Sequence, residues 1–386
     1  METDRESSSP EAKSLQSSKP SYFARAKSCF ENFRRKYEKY TELAIFGVGF
    51  IWDSFTMVRV DNPIDNIILL FYLAVIGSMI VVTLKRQNGA VLPQWIEKNE
   101  SRLLWAMQFC FGGLFSSYVI FYFKSASWTR TQFFFLILIV LWIGNEFLRN
   151  RMRNAKLLSV LYCFCLFSFL AFFLPVILAK VTDGIFVLAG FISLFVSLSV
   201  FSIGMKAERQ LWLRRMKPIA SWIVITFFTV NLLYFTNLIP PVPLALKSAG
   251  IYHQVSKTKD GYYRVKYVPP SWLHFWRKWD DPFYLSPGES IYCYTAVFAP
   301  RGVHILLYHV WSHKGARGWE QPDPIPFPIT GGRDGGYRGY TRKSMVAPGQ
   351  WRVEVMTDKG RILGQINFEA VASPTPHPHL ETMLIR

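Results

Sequence analysis

A chain of 386 residues that is 51% hydrophobic, 17% aromatic and carries five cysteines is too apolar for a disordered protein and too poor in cysteine for a disulfide scaffold. Its formal net charge of +18 would suit a nucleic-acid binder. However, half of the Lys and Arg fall in the N-terminal arm and three loops between long apolar runs, where membrane topology and anionic headgroups account for them, so nucleic acid is set aside as a partner.

Residues 1–20 are rich in Ser, Glu, Lys and Pro and predict a disordered cytoplasmic tail. Over 21–43, Phe23, Ala26, Phe30, Phe33 and Tyr37 recur at spacings of three and four with basic residues between them, predicting a basic amphipathic helix on the cytoplasmic leaflet. This arm is long, highly charged and without an apolar stretch before Ala44, unlike a cleavable signal peptide.

Apolar runs at 44–60, 66–84, 103–123, 132–148, 157–179, 184–205 and 219–239 follow. Most approach the ~20 residues that cross a bilayer core, and together they predict an α-helical membrane bundle of seven transmembrane helices over 44–245. Nine Lys and Arg lie in the arm, four in 85–102, four in 149–156 and five in 206–217, whereas the opposite loops hold Arg59, Lys124, Arg130 and Lys180. The positive-inside rule then places the N-terminus in the cytoplasm and everything after Asn237 outside. A six-span alternative that drops the short first run, with its Asp53, would turn the nine-charge arm outward, so seven is kept.

Pro240, Pro241 and Pro243 end the last run. Over 246–372 the apolar period becomes alternating, at 263–267, 290–298, 303–310, 350–356 and 361–371. Turn signals such as Ser286-Pro-Gly288 and Asp358-Lys-Gly360 punctuate it, predicting an all-β, immunoglobulin-like sandwich domain. Within it, Trp351, Val353 and Val355 alternate and should face the core. Cys293 alone would lie outside, so no disulfide is expected there, and Cys163 and Cys165 read as apolar filler of one span. The tail over 373–386, with Pro374, Pro376 and Pro378, reads as extended or disordered.

Two constellations stand out. Asp53, Thr56, Arg59 and Asp61 form a candidate polar membrane site at the outer end of the first span, because a charge inside a membrane is costly. A structural clamp between helices is the preferred account, since only Asp53 lies deep; Asn145, Glu146, Asn231 and Asn237 are weaker members of the same class. Trp272, Phe275, Trp276 and Trp279 beside basic residues are a candidate interfacial or docking surface, or else a packing helix capping the sandwich. His304, His309 and His313 lack a carboxylate or Cys at ligand spacing, so no metal or other cofactor is predicted. Nucleophile-elbow, phosphate-loop, zinc-protease and kinase motifs are missing, and Gly331-Gly-Arg-Asp-Gly-Gly336 lies between β segments with no helix to cradle a phosphate, so no catalytic residue is named.

The stretch His309-Val-Trp311, Gly331-Gly-Arg333, Tyr340-Thr-Arg-Lys-Ser344, Gly349-Gln-Trp-Arg-Val-Glu-Val355, Gly360-Arg-Ile-Leu-Gly364 and Phe368 resembles a bacterial extracytoplasmic domain of unknown function, the family numbered 2914. The multi-span part, in Asp53-Ser-Phe-Thr56, Arg59-Val-Asp61 and Ile239-Pro-Pro-Val-Pro-Leu244, is similar to the membrane region often fused before it. The resemblance implies a bacterial inner-membrane protein with a periplasmic C-terminal domain, and implies no activity. The expectation is a non-enzymatic accessory or scaffold subunit, held in the lipid bilayer, whose β-domain docks a protein partner in a larger membrane assembly through its exposed edges and aromatic segment. The alternative is a transporter or membrane enzyme for a lipid or small polar solute at Asp53, Arg59 and Asp61; the odd span count offers no inverted halves for it.

Overall fold

Asn62 opens the first described helix, α1 (Pro63–Gln87): its side chain accepts the Ile64 amide at 3.1 Å, and Pro63 stands where a missing N–H is no loss. The computed structural model describes residues 60–125, 132–147, 151–205, 209–269, 279–333, 335–373 and 380–385, all within one compact unit, Asp53–Arg386. The first apolar run up to Arg59 and the expected segments 1–20 and 21–43 lie outside the described residues.

After α1 come α2 (Gln94–Lys98), α3 (Glu100–Ser125), α4 (Gln132–Phe147), α5 (Ala155–Leu178), α6 (Asp183–Gly204) and α7 (Arg209–Phe235). Five of them, α1, α3, α5, α6 and α7, are long and apolar enough to cross a membrane, and α4 carries the shorter apolar stretch Phe134–Asn145. The ends of α1 and α6 and the start of α5 meet at one end of the bundle. Gln87 Nε2 donates to the Arg153 carbonyl at 2.8 Å and Asn88 Nδ2 to that of Gly204 at 3.4 Å, gathering the Lys- and Arg-rich connections at one end.

α5 is apolar all round because it is the central helix, packed by α1, α3, α6 and α7. Small residues let its neighbours close in: a Cβ on Gly190 of α6 would stand 2.8 Å from the rings of both Phe167 and Phe227, and one on Gly204 would stand 2.9 Å from Leu84. Cys163 and Cys165 are buried in α5 as free thiols.

The chain then turns to strands β1 (Ala245–Tyr252), β2 (Gln254–Lys257), β3 (Tyr263–Tyr267), β4 (Phe283–Leu285), β5 (Ile291–Phe298), β6 (His304–Gly315), β7 (Gly318–Thr330), β8 (Tyr337–Lys343), β9 (Gly349–Thr357), β10 (Ile362–Ala372) and β11 (Glu381–Ile385). They form sheets of order β1-β5-β8, β4-β10-β9-β6-β7 and β11-β3-β2. Between the first two lies the core: Ile251, Cys293, Trp311, Trp351, Val353 and Phe368 in one cluster, Val297, Leu307, Phe327 and Val355 in another. Trp351, Val353 and Val355 thus face inward, and the indole of Trp351 donates to the Ala347 carbonyl at 2.8 Å.

Two features differ from the expected immunoglobulin-like pattern of paired antiparallel sheets. β4 joins β10 in parallel, and the third sheet covers the outer face of β5 with Tyr252, Tyr263 and Val265 around Tyr294. β5 is therefore buried on both faces, which is why 291–298 reads as an almost unbroken apolar run. The last strand also qualifies the reading of the tail. Beyond the prolines, Glu381–Ile385 pairs antiparallel with β3, and Met383 and Ile385 pack on the tyrosine cluster.

Candidate functional site

The turn between β9 and β10 leads to the bundle. Gly360, at φ +72°, lets the chain reverse, with the Thr357 amide bonded to the Arg361 carbonyl at 2.9 Å and the Gly360 amide to that of Thr357 at 3.0 Å. This presents Lys359 and Arg361 to the helix ends. On the helix side, Asn237 adopts φ +59° after α7, and the Leu238 amide reaches back to the Leu233 carbonyl at 2.9 Å, a left-handed cap that asparagine tolerates. Asp183 stands in the first turn of α6, where the helix dipole favours an anion.

Arg361, 7% exposed, uses its whole fork there. Nε and one terminal nitrogen meet Asp183 Oδ1 at 3.1 and 3.0 Å; the other terminal nitrogen donates to the Tyr234 carbonyl at 2.7 Å and to Asn237 Oδ1 at 3.2 Å. The guanidinium lies 3.7 Å over the Tyr234 ring, whose hydroxyl donates to Asp183 at 2.9 Å and whose other face stacks on Phe186 at 3.6 Å. Lys359 adds a second cation 3.3 Å from Asp183. The arrangement joins the start of α6, the end of α7 and a β turn through one desolvated cation, chemistry suited to holding elements together. Of its members the sequence reading singled out only Asn237 and the turn.

The expected sites fare differently. Asp53, Thr56, Arg59, Trp272, Phe275 and Trp276 lie outside the described residues. Asp61 is half-buried in the turn before α1, close in sequence to buried Asp65 and Asn66; Asn66 donates to the carbonyls of Val60 at 3.0 Å and Asn62 at 3.1 Å, so its amide ties down that turn. Trp279 is half-buried against the tyrosine cluster. Asn145 Nδ2 donates to the Gln108 carbonyl and Gln108 Nε2 to the Asn145 carbonyl, each at 3.2 Å, clamping α4 to α3, and Asn231 bonds the Phe227 carbonyl one turn back at 2.8 Å.

The histidines of β6 do not converge. His309 is fully buried between Thr295 at 2.9 Å and Thr341 at 2.8 Å, linking the five-stranded sheet to the β1-β5-β8 sheet, and burial pushes it down to about 3, so it is neutral. His304 is exposed near Thr330, and His313, beyond a bulge, leans on Trp351. Among the described residues no three His, Cys, Asp or Glu are grouped to hold a metal ion. The glycine loop is a packing requirement: a Cβ on Gly331 would collide with the Pro300 carbonyl, and Gly336 sits at φ +84°.

A buried ionisable cluster lies elsewhere in the β region. His253 Nδ1 is 2.6 Å from Glu289, its Nε2 is 3.5 Å from Asp280, and its ring stacks on Phe283 at 4.1 Å. Burial pushes Asp280 up to about 8, with nearby Glu289 adding to the rise and the Val268 amide, at 2.6 Å, opposing it.

Residues 306–370, from β6 to β10, match the family described as Protein of unknown function (DUF2914). The match is well under half of the chain and includes Lys359 and Arg361 but not Asp183, Tyr234 or Asn237. No curated protein matches. A solved structure of Pseudomonas fluorescens alkylpurine DNA glycosylase AlkC bound to DNA containing an abasic site analog aligns with 80% of this chain and 99% of that one, at 10% identity and a TM-score of 0.21, too low to carry any argument.

Proposed function

We propose that the protein is a non-enzymatic scaffold or accessory subunit of a bacterial inner-membrane assembly, with a seven-span bundle, a cytoplasmic N-terminus and a periplasmic, immunoglobulin-like β-sandwich that docks a protein partner. The Arg361 clamp carries this reading. A module that only needed tethering would need no buried guanidinium on two helix ends, whereas one that presents a surface in fixed orientation to a neighbour does. The polar burden of α3 and α4, a reciprocal amide pair, is likewise of the kind that fixes helices.

Docking through the β7 edge is disfavoured, because Pro324, Pro326 and Pro328 stand opposite Val310, Tyr308 and Leu306 and present no N–H outward. The exposed face of β6 and β7, with Leu306 42% exposed, is the better surface. Copurification from native membrane in mild detergent tests the reading. A stoichiometric protein partner should travel with the wild type and be lost from an Arg361→Ala variant of equal abundance; a wild type that travels alone would overturn it.

A further inference from the structure

A groove of about 440 Å³ runs along α1, closed by α2 and α3. Its α1 wall is one helical stripe, including Ala74, Ser78, Val82 and Arg86, and Leu104 of α3 and Trp95 of α2 face it. The walls are almost wholly apolar, and the volume falls within the ~300 to 1,000 Å³ of ordinary small-molecule sites. α1 and α3 are both candidate spans, so the groove lies at membrane depth on the bundle's flank. Its polar end is where the Lys- and Arg-rich connections gather.

That end carries a specific charge arrangement. Glu100 bridges Arg86 and Arg153, the latter at 2.9 Å, so two guanidinium groups share one carboxylate and leave one net positive charge at the mouth. Both arginines remain substantially exposed, with donors to spare beyond the carboxylate. Gln87, donating to the Arg153 carbonyl at 2.8 Å, holds the Arg153 loop against α1. Trp95, 62% exposed beside this mouth, has the amphipathic ring that suits headgroup depth.

We propose that this groove is a binding site for one anionic phospholipid, its acyl chain along Ala74, Ser78 and Val82 and its phosphate on the outer N–H groups of Arg86 and Arg153. An acyl chain matches the apolar walls, and a single phosphate diester matches the single unbalanced positive charge. Glu100 bridges the two guanidinium groups and offsets one of their charges. The site does not depend on the docking role proposed above.

Native mass spectrometry of the delipidated full-length protein, titrated with phosphatidylglycerol or with phosphatidylcholine of identical acyl chains, tests it. One phosphatidylglycerol should bind in clear preference to phosphatidylcholine. Arg86→Gln with Arg153→Gln should weaken it about thirtyfold, at roughly fivefold per arginine. Glu100→Gln, which frees both guanidinium groups, should retain or tighten binding, an opposite sign that general loss of structure would not give. Ala74→Trp should block the groove to both lipids while the unfolding midpoint stays near wild type. Equal binding of the two lipids, binding unchanged in Ala74→Trp, or a groove-dependent protein partner with lipid retention unaffected would overturn the assignment.

Discussion

Within the apolar helices, Ser117, Thr226 and Asn231 bond carbonyls one turn back in their own helices, and neutral links such as Gln108 with Asn145 or the Tyr118 hydroxyl on the Cys165 carbonyl at 2.7 Å join neighbours, the Glu100 ion pairs lying at the helix ends. The β region instead buries ionisable groups, with His253 between Asp280 and Glu289, and His309 between two threonines of the facing sheet. The difference follows from the surroundings. A span has no water to fall back on, so its polar side chains take the nearest backbone acceptor and the helices are matched by shape, as Gly190 matches Phe167 and Phe227. A water-exposed β module can afford a titrating core, so sensitivity to pH should sit there and not in the bundle. The two regions meet at Arg361, where an ion pair is placed among helix ends.

The largest effect should come from the β core. Trp351 is 7% exposed, and Trp351→Ala should cost about 3 to 5 kcal/mol, lowering the unfolding midpoint of the β region by intrinsic fluorescence in mild detergent. A cost under about 1 kcal/mol would place the side chain at the surface and undo the register of β9.

Next is the junction. Arg361→Ala should cost about 3 kcal/mol, the low end for breaking a buried ion pair, because Asp183 is a quarter exposed and keeps Lys359. The connection between α7 and β1 should become open to protease while the bundle stays intact. Arg361→Lys should recover only part of the loss, since an ammonium cannot reach Asp183, the Tyr234 carbonyl and the ring face together. Unchanged protection in the Ala variant would mean that the β region is held by apolar contacts alone.

The pH response separates the regions further. Asp280 is a carboxyl whose folded value, about 8, lies above its unfolded one of 3.8. The folded state therefore holds the extra proton, and the stability from this group is full below about pH 4 and lost as pH rises toward 8, by at most about 1.4 kcal/mol per pH unit. His253, Glu289, Tyr252 and Tyr267 face it. Asp280→Asn, which keeps an acceptor for the Val268 amide, should flatten the profile of the β region between pH 5 and 8. An unaltered profile would assign the pH response to another group.

How much of this was legible in the sequence follows the range of the interactions. Apolar runs are local, and those from 66–84 onward each fall on a helix; alternation is local, and 263–267, 350–356 and 361–371 fall on β3, β9 and β10. The clamp was hidden because Arg361 bonds groups 178 and 127 residues away, Asp183 and Tyr234, each ordinary in its own neighbourhood. The third sheet was hidden likewise, since β11 reaches β3 across more than a hundred residues. β7 was missed for a different reason. Its prolines argue against a strand, yet they recur at every second position from Pro322 to Pro328, the spacing that an edge strand allows.

That edge yields the smallest effect on stability and a sharp test. Pro324, Pro326 and Pro328 pair with Val310, Tyr308 and Leu306, so in an antiparallel ladder their nitrogens face away from β6 while Phe327 and Ile329 turn inward and are buried. The outer edge of the five-stranded sheet therefore offers carbonyls without donors, and a strand from another molecule cannot complete a ladder on it. Replacing the three prolines with valine restores the donors and keeps the β shape. Each change should cost only about 0.4 to 1 kcal/mol through the freer unfolded chain, and the fold should persist by circular dichroism. The variant should nevertheless self-associate with concentration in light scattering where the wild type does not. A variant as monodisperse as the wild type would mean that the edge is shielded by something other than its prolines, with the neighbouring β8 the first place to look, since Phe327 already packs against its Gly339.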